Sequence, residues 1–255
     1  MKYNRFLPLI IPALILILFE AYYYKHNLIY VVAVLTVLLL FFTVRQFLIA
    51  GNSADGWYNY FISPAMLVLG SIALTTMVAN KWFVQVLLVG VPILLYLYLR
   101  MLYVYLINFN LKQREGLENF SAYSNFLAFY FIASSLYGIR AFLNYEVWPL
   151  MILLLVSVSL IVYQVFWMNN IKFKISSFYV LLIALVVTEL AWSATFLTLS
   201  FYILGLVVTI CYYVLTGITR FYLKGSLDSK IVKLYLLFGF TSILVVLLSA
   251  RWFQV

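Results

Sequence analysis

The strongest constraint on this chain is a series of nine long apolar runs that follow one another along the sequence. Each run is close to the ~20 residues that an α-helix needs to cross ~30 Å of hydrocarbon. The runs are continuously apolar, whereas a transmembrane β-strand alternates polar and apolar positions. They occupy residues 6–24, 28–47, 61–79, 83–106, 122–143, 147–168, 175–196, 199–219 and 231–250. The sequence therefore predicts an all-α, polytopic transmembrane helical bundle of about nine helices.

Composition excludes a water-soluble fold of this size. Of the 255 residues, 67% are hydrophobic and only 9% are charged, whereas soluble domains are nearer half apolar and a quarter charged. In water such a chain would expose a very large apolar patch, which monomers rarely do. The first run is too long for a cleaved signal peptide, and no small-residue cleavage site follows it. We therefore predict a single integral membrane domain over residues 1–255.

The connections between the runs are predicted to alternate in length. Tight turns follow the first, third, fifth and seventh runs, and longer loops follow the second, fourth, sixth and eighth. Residues 175–219 contain no charged turn, but one helix of that length would measure ~67 Å, about twice a bilayer. We therefore place a turn at residues 198–200. The chain then forms four tight hairpins and a C-terminal helix.

The hairpins resemble one another and are possible two-helix repeats. Arg45 lies 39 residues after Phe6, and Arg100 lies 39 residues after Phe61. A repeated unit explains this spacing, since repeats are common in membrane folds. The tendency of any membrane hairpin to end in basic and aromatic anchors also explains it and is the favoured account. The possible repeats span residues 6–48, 61–106, 126–168 and 178–223, and the last helix spans 231–250.

Basic residues divide unequally between the two ends of the predicted helices. The tight turns and the C-terminus carry only 4 of the 16 basic residues, and the N-terminus and longer loops carry the other 12. The positive-inside rule then predicts a protein of the cytoplasmic (plasma) membrane with its N-terminus inside and its C-terminus outside. Topology also explains the net charge of +9 without nucleic acid as a partner. The expected partners are membrane lipids and other membrane subunits.

A candidate buried polar cluster comprises four ionisable residues near the predicted outer ends of the helices. An ionisable group in hydrocarbon is costly and therefore points to function. Glu189 shares a helical face with Ser193 and Ser200, and we expect this polar stripe to face the bundle. Arg140 is its leading partner, although Arg140 and Glu20 can instead extend separately to the interface. The cluster consists of Glu20, Arg140, Glu146 and Glu189.

A second candidate is the polar and aromatic loop that contains Asp55 and Trp57. Such a loop on the cytoplasmic side can bind a lipid headgroup or a polar ligand. The alternative is a turn with Trp and Tyr anchors at the interface. In either case the loop is too polar to lie in hydrocarbon, so we expect both residues at the cytoplasmic interface.

Missing motifs narrow the expected function. His26 and Cys211 are the only residues of their types, so neither a histidine-based metal site nor a disulfide is expected, and no cofactor is predicted. The favoured function is therefore a non-enzymatic membrane component, either a transporter-like protein or a subunit of an envelope complex. The alternative is an intramembrane enzyme acting on a lipid or polyprenyl-linked substrate. Only the polar cluster can supply its site.

Overall fold

A computed structural model describes residues 6–51, 56–107 and 111–250, apart from the side chains of Leu111, Lys112 and Phe173. The described residues form nine α-helices and no strand, and all nine helices are long and apolar enough to cross a membrane. The all-α prediction is confirmed, and the protein is a multi-pass membrane protein. The helices are α1 (Leu7–Tyr24), α2 (Ile29–Ala50), α3 (Trp57–Met77), α4 (Lys81–Ile107), α5 (Leu111–Leu143), α6 (Val147–Met168), α7 (Phe173–Ala194), α8 (Phe201–Leu223) and α9 (Ser229–Ser249).

Most helix ends lie within a few residues of the apolar runs, but α5 does not. It begins at residue 111 rather than 122. The residues between these two positions, which include both basic and acidic side chains and were predicted as part of a loop, are therefore helical. The Arg114 Nε donates to Glu118 Oε1 over 3.0 Å at i,i+4 spacing, and Leu117 between them is buried. At ~1.5 Å per residue, the 33 residues of α5 measure about 50 Å, which exceeds the hydrocarbon thickness.

Three of the four predicted tight turns are confirmed, but the connection between α7 and α8 is longer than predicted and some of the predicted long loops are shorter. Residues 144–146 join α5 to α6, with Asn144 at a φ of 50°. Residues 195–200 join α7 to α8 and include the predicted turn. The connection from α6 to α7 is only residues 169–172, because α7 already begins at Phe173. Helix formation thus continues past the apolar runs into polar sequence.

The chain divides into two compact units, residues 1–128 and 129–255, and α5 passes through the boundary in sequence. In the first unit, α1 packs against α2 and α4, and α3 packs against the same two helices. The large side chains that are almost fully buried in this unit are Ile15, Phe19, Leu40, Phe47, Tyr60, Leu67, Leu74, Leu88, Leu95 and Tyr98. The single-domain assignment and the two-helix repeats stay predictions.

In the second unit, α7 packs against both α6 and α8. The C-terminal half of α5 approaches α8 very closely at Gly205. A Cβ atom added to Gly205 would overlap the Ser134 hydroxyl and lie 2.8 Å from both the Cα and the N of Ser134. Small residues allow such close backbone approach between membrane helices. Glycine at this position therefore sets the separation of α5 and α8.

Helix α9 is the least buried helix of the second unit. Only 6% of its most apolar window is buried inside the protein, and its one buried residue is Gly239. The ring of Tyr235 stacks on Tyr213 of α8 with centroids 5.6 Å apart. Helix α9 thus contacts α8 along a narrow strip and leaves most of its apolar surface uncovered by the described residues.

Candidate functional site

Glu20 lies on α1 in the first unit and has a partner on α4. The Gln85 side-chain nitrogen donates to Glu20 Oε1 over 2.5 Å. Glu20 is half-buried, so this contact partly satisfies a carboxyl that would otherwise lose hydration. No local pattern pairs these two residues, because 65 positions separate them. The sequence feature that could have indicated the contact is that each of the two is the single polar residue in its stretch of helix.

Arg140 lies near the end of α5 in the second unit and is half-buried. One of its guanidinium nitrogens, Nη1, is buried without a hydrogen-bond partner among the described residues. Tyr137, one turn earlier, donates its hydroxyl to the Ala191 carbonyl of α7 over 2.7 Å. Arg140 therefore lies next to the hydrogen bond that joins α5 to α7. Among the described residues it forms no ion pair.

Glu189 is exposed on α7, which corrects the prediction that it faces the bundle. It shares its face with large exposed apolar side chains at helical spacing, namely Phe178, Leu182 and Leu185. Its carboxylate forms no ion pair within the described part of the chain, so the predicted pair with Arg140 is wrong. Ser193 explains the error, because its hydroxyl donates to the Glu189 backbone carbonyl over 2.8 Å and needs no neighbouring helix.

The remaining members of the polar cluster do not form a buried site either. Glu146 is exposed just before α6, and its side chain does not cap that helix. Glu146 and Glu189 therefore correct the expectation of a buried cluster, while Glu20 and Arg140 are only half-buried. Glu20 belongs to the first unit, and the other three residues belong to the second. A functional role for these residues stays a prediction.

The candidate cytoplasmic loop is shorter than the sequence indicated. Asp55 lies outside the described residues. Trp57 is the first residue of α3 rather than a loop residue, and it is 40% exposed. Its ring contacts Phe41 of α2 edge-on, with centroids 4.7 Å apart. Trp57 thus joins the start of α3 to α2, in agreement with an aromatic anchor at the interface.

Arg100 is exposed near the end of α4 and borders an open cleft of about 320 Å³. Its Nη1 donates to the Tyr96 hydroxyl over 3.3 Å. The cleft is largely apolar and is lined by Leu97, Arg100, Met101, Val104, Gln113 and Gly116. An arginine in this setting extends along apolar surface towards the interface.

A family profile matches residues 19–249 of the chain. The protein belongs to the DUF5656 family. The function of that family is described as unknown. No curated protein and no solved structure matches the chain significantly. The match begins one residue before Glu20 and covers α2 to α9 in full.

Two buried tyrosine hydroxyls of this DUF5656 member form hydrogen bonds between helices, and neither contact was predicted from the sequence. Tyr98 of α4 donates to the Tyr60 carbonyl of α3 over 2.8 Å. In an α-helix that carbonyl would accept from residue 64, which is Pro64 and has no N–H. Tyr137 similarly reaches Ala191 in the last turn of α7, where carbonyls lack helical donors. For the Tyr98 contact the sequence contained one signal, since a proline four residues after Tyr60 leaves the Tyr60 carbonyl without its helical donor.

Proposed function

We propose that this protein is a non-enzymatic subunit of a membrane complex, and that α7 binds a transmembrane helix of a different protein. The observation that carries the proposal is the exposed carboxyl of Glu189 within an apolar helix face. A carboxyl in hydrocarbon costs several kcal/mol unless it pairs or neutralises. A partner helix with a lysine, an arginine or another hydrogen-bond donor supplies the missing contact.

The depth of Glu189 supports this proposal. It lies five residues before the end of α7, or about 7.5 Å along the helix axis. One turn closer to that end, Trp192 stacks on Trp148 of α6 with centroids 5.9 Å apart. Paired tryptophans are typical of the interface between hydrocarbon and water. The Glu189 carboxyl is therefore on the hydrocarbon side of that level.

Charge argues for a different protein rather than a second copy of the same chain. A two-fold contact centred on Glu189 would bring the Glu189 residues of the two copies together. The two Glu189 carboxylates would then meet and repel one another. A partner of opposite charge avoids the repulsion and fixes the depth at which the two helices meet.

Site-specific photocrosslinking in native membranes tests this proposal. A photoreactive residue at Leu185 should yield one discrete adduct with a membrane protein that has a basic residue in a transmembrane segment. The adduct should disappear with Glu189→Leu, because the charge pair that positions the partner is lost. The unfolding free energy of the purified variant should change by less than about 0.5 kcal/mol, since no contact within the described chain is removed.

A photoreactive residue at Leu237 is the matched control. Leu237 is 68% exposed on α9, but α9 has no acidic residue within its apolar face. No discrete protein adduct is expected there. Adducts with lipid alone at Leu185, a product of twice the chain mass, or an adduct that survives Glu189→Leu would each contradict the proposal.

We also propose that the protein lies in the cytoplasmic membrane with its N-terminus inside and the end of α9 outside. The 12-to-4 distribution of basic residues and the nine helices of the described chain support this orientation. A reporter fused after Gly51 should be cytoplasmic, and one fused after Ala250 should be on the opposite side. If a reporter that is active only in the cytoplasm were active at both positions, the orientation or the helix count would be wrong.

A further inference from the structure

An open cleft of about 350 Å³ lies in the first unit where α1 and α3 end and α4 begins. This volume is within the range of small-molecule sites. The cleft is lined by Tyr22, Tyr23, Tyr24, His26, Thr75, Val78, Ala79, Lys81 and Val84. Hydroxyl and cationic groups therefore meet apolar side chains in one concave surface.

The wall of this cleft is held by contacts between helices. The hydroxyl oxygens of Tyr22 on α1 and Thr75 on α3 are 2.7 Å apart and share a hydrogen bond. The imidazole of His26 packs edge-on against the Tyr22 ring, with centroids 6.1 Å apart. Helices α1 and α3 and the turn after α1 thus hold Tyr22, Thr75 and His26 in place before any ligand binds, which reduces the entropy cost of binding.

The charge of the cleft is positive. His26 and Lys81 are both exposed and form no ion pair with the described residues. Lys81 is also the first residue of α4, whose N-terminus adds a positive potential from the helix dipole. Glu20 on α1 is not among the residues that line the cleft, and its Oε1 accepts a hydrogen bond from Gln85. An anionic ligand therefore meets two donors and no carboxyl among the lining residues.

We propose that this cleft binds a phosphate group. Phosphate offers several acceptor oxygens, which suit a lysine, an imidazole and the hydroxyls of Tyr23 and Tyr24 together. The cleft lies at helix ends where Tyr24 is 80% exposed and Trp82 is 84% exposed, as at the level of lipid headgroups. A phospholipid headgroup and a soluble phosphate both present this chemistry. The proposal does not depend on the partner of α7.

The experiment compares the full-length protein with His26→Gln/Lys81→Gln, and with Lys25→Gln as a matched control. Lys25 is exposed next to His26 but does not line the cleft, so its loss removes a charge of the same sign from the same turn. Each protein is placed in nanodiscs of neutral phosphatidylcholine and titrated with inorganic phosphate by calorimetry. In a second arm, the discs contain 10 mol% phosphatidylglycerol, and retained lipid is counted by native mass spectrometry.

The double variant should bind at least about tenfold more weakly in any arm where the parent protein binds, because charge-assisted hydrogen bonds are lost. Lys25→Gln should bind within about twofold of the parent, and all three proteins should unfold at similar temperatures. Binding of phosphate in neutral discs identifies a soluble ligand, whereas retention of phosphatidylglycerol alone identifies a lipid. Absence of binding in both arms, or equal losses in the double variant and Lys25→Gln, would overturn the proposal.

Discussion

Gly205→Ala is expected to lower the unfolding free energy by about 2 kcal/mol, the range measured for overpacking a tight core. The added Cβ would lie 2.8 Å from the Cα and N of Ser134, which are backbone atoms and cannot rotate away. Helices α5 and α8 must therefore separate, and the contacts around them weaken. Reversible unfolding in mixed micelles of increasing denaturing-detergent content measures the change.

Gly90→Ala is the matched control for this prediction. Gly90 also lies inside a helix, α4, but a Cβ there meets nothing within 4 Å. Alanine has the higher helix propensity by up to about 1 kcal/mol, so the control should be neutral or stabilising. Ser134→Ala should not rescue Gly205→Ala, because the overlap with the Ser134 backbone remains. Equal effects at the two glycines would show that α5 and α8 are not in close contact.

Tyr98→Phe is expected to cost about 2 kcal/mol, which is large for the loss of one oxygen atom. Tyr98 and Tyr60 are only 1% and 2% exposed, and the Tyr98 hydroxyl donates to the Tyr60 carbonyl over 2.8 Å. A buried carbonyl that loses its donor carries its desolvation cost in full. In a membrane no water replaces that donor. The same unfolding experiment measures the loss.

A double-mutant cycle separates this explanation from a general packing defect. Pro64→Ala restores the N–H that α3 lacks opposite the Tyr60 carbonyl. Tyr98→Phe should therefore cost less in the Pro64→Ala background, by about 1 kcal/mol or more. Tyr30→Phe removes a hydroxyl from a side chain that is 81% exposed and should change little. Strictly additive effects of Tyr98→Phe and Pro64→Ala would contradict a role for the missing N–H.

The membrane spans could be predicted from sequence because hydrocarbon thickness imposes one length on every helix. The run at 147–168 coincides with α6 at both ends. The start of α5 could not be found in the same way, because hydropathy detects the part of a helix that lies in lipid. The charged turn that includes Arg114 and Glu118 is stabilised by a local ion pair, which is independent of lipid.

The direction in which polar residues face was harder to predict than the helices themselves. A carboxyl and nearby serines on one face of α7 indicated a stripe turned towards the bundle. Ser193 instead donates to the backbone of its own helix, and Ser200 lies after the end of α7. Hydroxyls that are satisfied locally carry no information about neighbouring helices. Contacts such as that between Gln85 and Glu20 depend on tertiary packing and have no local pattern.

The small contact made by α9 has a consequence for the order in which the second unit matures. A membrane protein emerges from the ribosome helix by helix, so α9 enters the bilayer after α6, α7 and α8 have done so. Only 6% of the most apolar window of α9 is buried. Helices α6, α7 and α8 can therefore reach nearly all of their mutual packing before α9 is inserted. Folding of this unit can therefore keep pace with synthesis, and α9 attaches to a partner that is already formed.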